Sequence, residues 1–339
     1  MRITNKMITT KYMRSVNTLS SDLDKLNTKI ASGRAFSRSS ENTSAAIKAY
    51  QIRRDLGRTE GYQANIAHAQ SCLTNTESAL SHMEELIQNA KEKILRANTG
   101  TASADERKVV ATELRSIQDS LLQTLNSNAS GVYYFGGSNT DTAPFTLDAN
   151  GKLAYNGVTL ETIIPADQDK LSKDSMYVDI GLGVNLIPDA TDPSGTKVDP
   201  GSVFQYSIPG INIVGSGQTT AGGMTVSANL YDLLGAIADQ LENPLYSYEN
   251  IDALYGKLDS ASMEIIYNLT EVGAKTSYLQ FMEDRYETQT LDMQERQLSV
   301  EGADPAETII KFKSQEVAYQ AALQMGTRII QPSIFDFLR

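Results

Sequence analysis

The sequence contains no tryptophan, one cysteine and two histidines among its 339 residues. The single cysteine, Cys72, excludes an internal disulfide and a cysteine-rich metal site, and we expect it to be a half-buried apolar side chain without a histidine partner. His68 and His82 would lie about 21 Å apart on one helix, so they cannot bind the same metal ion. The sequence therefore predicts no metal.

Long apolar runs and dense basic blocks are also absent. No segment approaches the 18 or so consecutive apolar residues that indicate a transmembrane helix. The net charge is −11, and an acidic chain gains nothing from counterion release at phosphates, so we expect neither nucleic acid nor a membrane as a partner. Residues 1–10 lack the apolar core of a cleavable signal, which indicates a cytoplasmic protein or export by another route.

Motifs of nucleotide-binding enzymes are missing as well. The short Gly-x-Gly pairs at Gly181 and Gly215 open no helix, and there is no P-loop. The sequence predicts a protein that is not an enzyme and that needs no cofactor.

Apolar residues instead follow heptad spacing, with steps that alternate between three and four. The N-terminal seam is Tyr12, Val16, Leu19, Leu23, Leu26 and Ile30. Gly33 interrupts it, and the serine-rich residues 37–44 are typical of a connector.

The longest seam comes next and has ten positions, which are Ile66, Ala69, Leu73, Thr76, Leu80, Met83, Ile87, Ala90, Ile94 and Ala97. Ser103 and Glu106 then match a capping box, in which each residue satisfies a backbone N–H of the other. They predict a third helix with one apolar face, formed by Val110, Leu114, Ile117, Leu121 and Leu125.

The composition changes between Gly131 and Gly223, which hold 14 of the 23 glycines and 6 of the 9 prolines. Residues 152–161 predict a β-hairpin because Asn156 and Gly157 suit the positive φ angles of a type I′ turn. Further strands are predicted at residues 133–135, 176–180, 203–208 and 211–214. This region is therefore expected to be an inserted β-rich domain.

Helical patterns return from about Ser227 to Asn243 and continue to the C-terminus. A further heptad seam contains Ile251, Leu254, Leu258, Ala261, Ile265, Asn268, Val272, Lys275, Leu279, Met282, Tyr286, Gln289 and Met293. Asp304 and Pro305 are typical of the N-cap and first position of a last helix. That helix is followed by a strongly apolar tail.

These patterns predict a mainly α fold. Both chain ends are expected to form an elongated antiparallel helical bundle, or coiled coil, that carries the inserted β-rich domain. We expect a terminal helical assembly domain at residues 1–40 and 302–339, a helical rod at residues 41–130 and 226–301, and the insertion at residues 131–225.

The middle seams are expected to form the core of the subunit itself. The terminal helices form only a two-helix pair, which is below the size that usually sustains a core alone, so neighbouring chains must complete their packing. The predicted assembly interface comprises Val16, Leu19, Leu23, Leu26, Ile30, Ile309, Phe312, Tyr319, Leu323, Ile330, Phe335 and Leu338.

Several segments resemble the flagellin superfamily. Residues 26–33 with 37–47 are similar to its N-terminal connector, and residues 316–324 are similar to its C-terminal helix. Within the superfamily, residues 131–145, 271–275 and 331–338 resemble the junction proteins between the flagellar hook and filament, which are hook-associated proteins.

This resemblance implies a structural subunit of the bacterial flagellum, located outside the cell after export by the flagellar type III system without a cleaved signal. It implies a ring of identical copies between the neighbouring hook-associated protein and flagellin, and an export chaperone as a further partner. Its paired terminal helices would line the central channel, with the insertion facing outward.

Two alternatives stay open at this point. The chain could be a minor flagellin filament subunit. It could also be a flagellin-like scaffold whose insertion binds carbohydrate or a surface.

Overall fold

The computed structural model describes residues 5–99, 102–129, 131–188 and 196–329. The chain divides into two compact units, which we name the terminal unit (residues 1–60 and 287–339) and the central unit (residues 61–286). Long helices dominate and a small sheet-rich insertion interrupts them, so the predicted fold class is confirmed.

Eight α-helices are present in the described residues. In chain order they are α1 (Asn5–Ser32), α2 (Thr43–Ala97), α3 (Ala104–Leu125), α4 (Pro165–Ser172), α5 (Ile211–Val214), α6 (Leu230–Glu242), α7 (Tyr248–Glu301) and α8 (Pro305–Ile329).

Eleven short strands make up the sheets of the described residues. They are β1 (Asn128–Ala129), β2 (Val132–Tyr133), β3 (Phe145–Leu147), β4 (Leu153–Tyr155), β5 (Val158–Thr159), β6 (Tyr177–Val178), β7 (Leu186–Pro188), β8 (Thr196–Val198), β9 (Phe204–Gln205), β10 (Gln218–Ala221) and β11 (Met224–Ser227). They pair antiparallel as β1-β2, β3-β4-β5, β6-β9, β7-β8 and β10-β11.

The core of the central unit follows the heptad patterns. All ten seam positions of α2 are buried, from Ile66 to Ala97, and so are the five predicted positions of α3. On α7 the seam is buried at Ile251, Leu254 and most later positions as far as Tyr286. The prediction that these middle seams form an intramolecular core is confirmed.

Polar contacts fix the direction of α7 against α2. The Gln70 side chain donates to Glu283 at 2.9 Å, and Lys91 forms an ion pair with Asp259. Early residues of α2 therefore meet late residues of α7, which makes the two helices antiparallel within the central unit.

The predicted capping box begins α3. Glu106 N donates to Ser103 Oγ at 3.2 Å, and Ser103 N donates to the Glu106 carboxylate at 2.7 Å. Because this backbone hydrogen bond favours the charged carboxylate, it lowers the pKa of Glu106. Two backbone donors that the helix leaves unpaired are satisfied in this way.

The predicted hairpin is present as β4 and β5. Asn156 has φ 47° and Gly157 has φ 82°, as a type I′ turn requires. All three residues of β4 are buried, and the Tyr155 hydroxyl donates to Phe135 O at 2.9 Å. This hairpin therefore anchors the insertion to its own core.

The predicted strand at residues 211–214 is wrong, because these residues form the single helical turn α5. Gly210 O accepts hydrogen bonds from both Ile213 N and Val214 N, at 3.1 Å each. Gly210 N itself donates a hydrogen bond to Phe135 O at 2.9 Å. Burial of three of the four side chains overrides the strand preference of β-branched residues.

The other predicted strands are shorter than expected. Residues 133–135, 176–180 and 203–208 were expected to be extended throughout, but pairing is limited to β2, β6 and β9. The hairpin of β10 and β11 was not predicted, although Gly222 and Gly223 at its turn both have positive φ.

Replacing Leu80 with alanine should lower the free energy of unfolding by about 2–5 kcal/mol, because Leu80 is fully buried and its loss leaves a cavity. Urea denaturation followed by circular dichroism would measure this. The matched control is Leu95→Ala on the same helix, where Leu95 is 52% exposed. A Leu80→Ala variant as stable as the control would contradict the assignment of this seam to the core.

Candidate assembly interface

The first and last helices, α1 and α8, pack on each other within the terminal unit. The Tyr12 hydroxyl donates to Ala322 O at 3.0 Å. Gly326 is buried against the Tyr12 ring, where a Cβ atom would lie only 2.0 Å from the tyrosine oxygen. A residue without a side chain therefore allows this close approach.

The opposite ends of the two helices meet through their backbones. Ala303 N donates to Gly33 O at 2.9 Å, and Ala35 N donates to Glu301 O at 2.7 Å. Gly33 has φ +67°, a conformation that favours glycine. Since Tyr12 meets the end of α8 and Gly33 meets its beginning, the two helices are antiparallel.

A buried carboxylate reinforces this junction. The Glu301 side chain is 6% exposed, and Arg53 Nη2 lies 2.5 Å from its Oε2 atom. Arg34 Nε lies 3.9 Å from the same oxygen, while Oε1 is buried without a hydrogen-bond partner. The sequence pattern identified Glu301 only as the last residue of a helix. Its position directly before Gly302 is the only local signal at this residue, and it does not predict a buried carboxylate.

The predicted interface residues occupy two kinds of position. Six are half-buried between the paired helices, namely Val16, Leu19, Leu23, Leu26, Phe312 and Tyr319. Ile30, Ile309 and Leu323 are 39%, 48% and 45% exposed. Ile330, Phe335 and Leu338 lie outside the described residues.

The face of α8 that packs on α1 differs in part from the predicted seam. Its buried or half-buried positions are Thr308, Phe312, Gln315, Glu316, Tyr319, Ala322 and Gly326. Ile309 and Leu323 lie beside this face, so they are apolar side chains that the pair leaves to solvent. The role of all these residues in assembly stays a prediction.

The pair of α1 and α8 lacks a core of its own. The contiguous cluster of buried apolar residues in the described chain contains none from α1 or α8. Both helices instead expose large apolar side chains, including Met13 (49%), Ile310 (69%), Val317 (65%) and Met325 (60%). Full burial of one such side chain is worth about 1.5–3 kcal/mol, so a further partner would gain substantially by covering them.

Other candidate chemistry is sparse in the described residues. Cys72 is half-buried, and burial raises the pKa of its thiol. His68 Nε2 lies 3.9 Å from Cys72 Sγ, so the expectation that this cysteine lacks a histidine partner is wrong; the two residues are one helical turn apart.

The described residues contain no cluster of three or more His, Cys, Asp or Glu side chains suited to a metal ion. Among the described helices, none combines the length and apolar character needed to cross a membrane.

Comparison with known proteins identifies relatives of the chain. Residues 3–140 match the bacterial flagellin N-terminal helical region. The chain is 23% identical over 345 residues to flagellar hook-associated protein 3 of Escherichia coli strain K12, with 99% of each chain covered. It is 31% identical over 158 residues to flagellar hook-associated protein 3 of Salmonella typhimurium strain LT2, which covers 46% of this chain and 49% of that protein.

Solved structures show the same fold. A protein from Vibrio parahaemolyticus, assigned as a flagellar hook-associated protein, superposes with a TM-score of 0.59 at 20% identity. The superposition covers 77% of this chain and 99% of that chain. Residues 3–140 are thus similar to the flagellin N-terminal helical region, and the chain is similar along its full length to flagellar hook-associated protein 3.

Proposed function

We propose that this chain is a structural subunit of the bacterial flagellum. It forms a ring at the hook–filament junction and adapts the hook-associated proteins to the flagellin filament. The observation that carries the proposal is the pair of α1 and α8, whose apolar seam stays half-exposed. The full-length similarity to flagellar hook-associated protein 3 supports the same role.

The mechanism is one of packing rather than chemistry. A subunit whose end helices are completed only by neighbours adds where those neighbours already present a matching surface. In this proposal residues 1–40 and 302–339 act as the assembly domain. Residues 41–130 and 226–301 act as the helical rod, and residues 131–225 face solvent as the insertion.

The partners follow from this position. They are copies of the chain itself, the neighbouring hook-associated protein, flagellin and an export chaperone. The chain acts outside the cell, exported by the flagellar type III system without a cleaved signal. It is not an enzyme and uses no cofactor.

Replacing Leu23 and Leu26 with serine should abolish incorporation into flagella, because it removes two half-buried side chains from the face between α1 and α8. Immunoblotting of purified flagella would measure incorporation. The central unit should stay folded, since neither residue belongs to the core cluster.

The control for this variant replaces Leu95 and Val109, which are 52% and 59% exposed in the central unit, with serine. Normal flagella from the Leu23→Ser, Leu26→Ser variant would show that this face is not used in assembly.

Hydrogen exchange of the isolated chain should be fast in residues 16–30 and slow in residues 66–97. The first segment has no fully buried side chain, whereas the second contains ten buried seam positions. Mass spectrometry after peptic digestion would compare them. Equally slow exchange in both segments would mean that α1 needs no neighbour.

The purified chain should not grow long filaments by itself, because a junction subunit needs other components of the flagellum. Electron microscopy of the concentrated protein, with a flagellin as the positive control, would show the difference. Long filaments would favour a minor flagellin instead.

A further inference from the structure

An exposed strip on α2 combines apolar and basic side chains. The basic strip, as we name it, consists of Ile47, Tyr50, Arg54 and Arg58. Steps of three and four residues place these side chains on one face of the helix. Ile47 is 58% exposed and Tyr50 is 71% exposed. Because α2 buries a different face in the terminal unit, at Ala49 and Thr59, the basic strip is left open.

The surroundings of the basic strip are strongly positive. Residues 33–58 contain six basic and two acidic residues, although the chain as a whole has a net charge of −11. A cavity of about 530 Å³ opens beside the strip, and its lining includes Arg54 together with Arg34 and Arg53, which also face the Glu301 carboxylate. An occupant of this surface should therefore bring carboxylates together with apolar side chains.

The C-terminal part of α7 presents the complementary pattern. The acidic strip, as we name it, consists of Glu287, Leu291, Glu295 and Leu298, again on one helix face. Leu291 is 61% exposed and Leu298 is 71% exposed. Leucines exposed to this degree beside glutamates on one helix face mark a surface that can bury apolar area and bind cations at the same time.

The charges of the two strips are available for binding. Among the described residues, Arg58, Glu287 and Glu295 take part in none of the ion pairs. Arg54 pairs only with its sequence neighbour Asp55, and that pair is exposed. Exposed pairs of this kind are weak and exchange easily for another partner.

We propose that the basic strip of one copy of this chain docks on the acidic strip of a second copy. Each strip is about 16 Å long at about 1.5 Å per residue, so their lengths match. In an antiparallel arrangement Ile47 lies beside Leu298, and Arg58 lies beside Glu287. The opposite charges of Arg58 and Glu287 then set the register, and Ile47 and Leu298 supply buried apolar area.

This interface joins two different surfaces. A bound pair therefore keeps one free acidic strip on one copy and one free basic strip on the other, so further copies add in the same direction and the series closes into a ring when the rotation allows it. This contact rests on the proposed function, because it requires that copies of the chain lie next to one another in the flagellum.

The test is a charge exchange in cells that assemble flagella. Arg58→Glu alone and Glu287→Arg alone should each lower the amount of chain in purified flagella about fivefold, since each places like charges opposite one another. The double variant should restore the amount, because every interface then regains an opposite pair. Lys108→Glu, at an exposed position on α3, is the matched control.

Unchanged incorporation of both single variants, or a double variant no better than either, would overturn the proposed contact. Thermal unfolding of each purified variant is the control for folding. An unfolding temperature equal to that of the unaltered chain shows that a loss of incorporation does not come from misfolding. If the unaltered chain were itself missing from flagella, the proposed function would fail, and this result is distinct from a failure of the contact.

Chemical crosslinking gives a second readout. Ile47→Cys and Leu298→Cys are combined in a Cys72→Ser background, and purified flagella are treated with a bismaleimide. The double variant should yield linked dimers and higher multimers, whereas either single variant should stay monomeric on a denaturing gel. Monomer alone from the double variant, in flagella that contain the chain, would contradict the contact.

Discussion

An amphipathic helix buries its apolar face only when other helices or strands pack against that face, and this constraint governs the whole chain. In the central unit the apolar faces of four helices, α2, α3, α6 and α7, pack against one another, and their seam positions are almost completely buried. In the terminal unit α1 packs against α8, and the same kind of seam stays half-exposed. One sequence pattern thus produces a finished core in one place and an unfinished surface in another.

Polar groups have a different task in the terminal unit. The buried Glu301 carboxylate, with Arg53 and Arg34 around it, ties the end of α7 to the chain that follows α1. Breaking a buried ion pair costs more than an exposed pair contributes, because the remaining charge is left without water. The junction between the terminal helices and the connector is therefore held by charge, whereas the helices themselves are held by modest apolar contacts.

Much of the fold could be predicted from the sequence, because heptad spacing reports burial directly. All ten positions of the long α2 seam, the capping box of α3 and the turn at Asn156 were predicted and are present. Local signals were insufficient where tertiary contacts decide the conformation. Residues 211–214 have the composition of a strand, yet a hydrogen bond from Gly210 to Phe135 and burial of the segment produce a helical turn.

The candidate interface was predicted less completely for a related reason. Periodicity identified Phe312 and Tyr319 on α8 but selected Ile309 and Leu323, whereas Gln315, Ala322 and Gly326 face α1. A seam that contains glycine, alanine and glutamine is hardly more apolar than the rest of the helix, so periodicity does not reveal it. The need for a small residue opposite Tyr12 is visible only in the three-dimensional structure. The roles of Glu301 and Arg53 depend on a contact across 248 positions, which no local pattern reveals.

The pairing of the strands has a consequence for the order of folding. Of the five sheets in the described part of the chain, four join strands that are neighbours in the sequence, and β6-β9 is the exception. By contrast, the contacts of α2 with α7 bridge long separations, 171 residues from Lys91 to Ser262 and 213 residues from Gln70 to Glu283. Because closing a long loop costs entropy before any contact compensates it, hairpins form early and the docking of α7 on α2 comes late. Folding of this chain should thus begin with its insertion, and the docking of its two longest helices on each other should complete it.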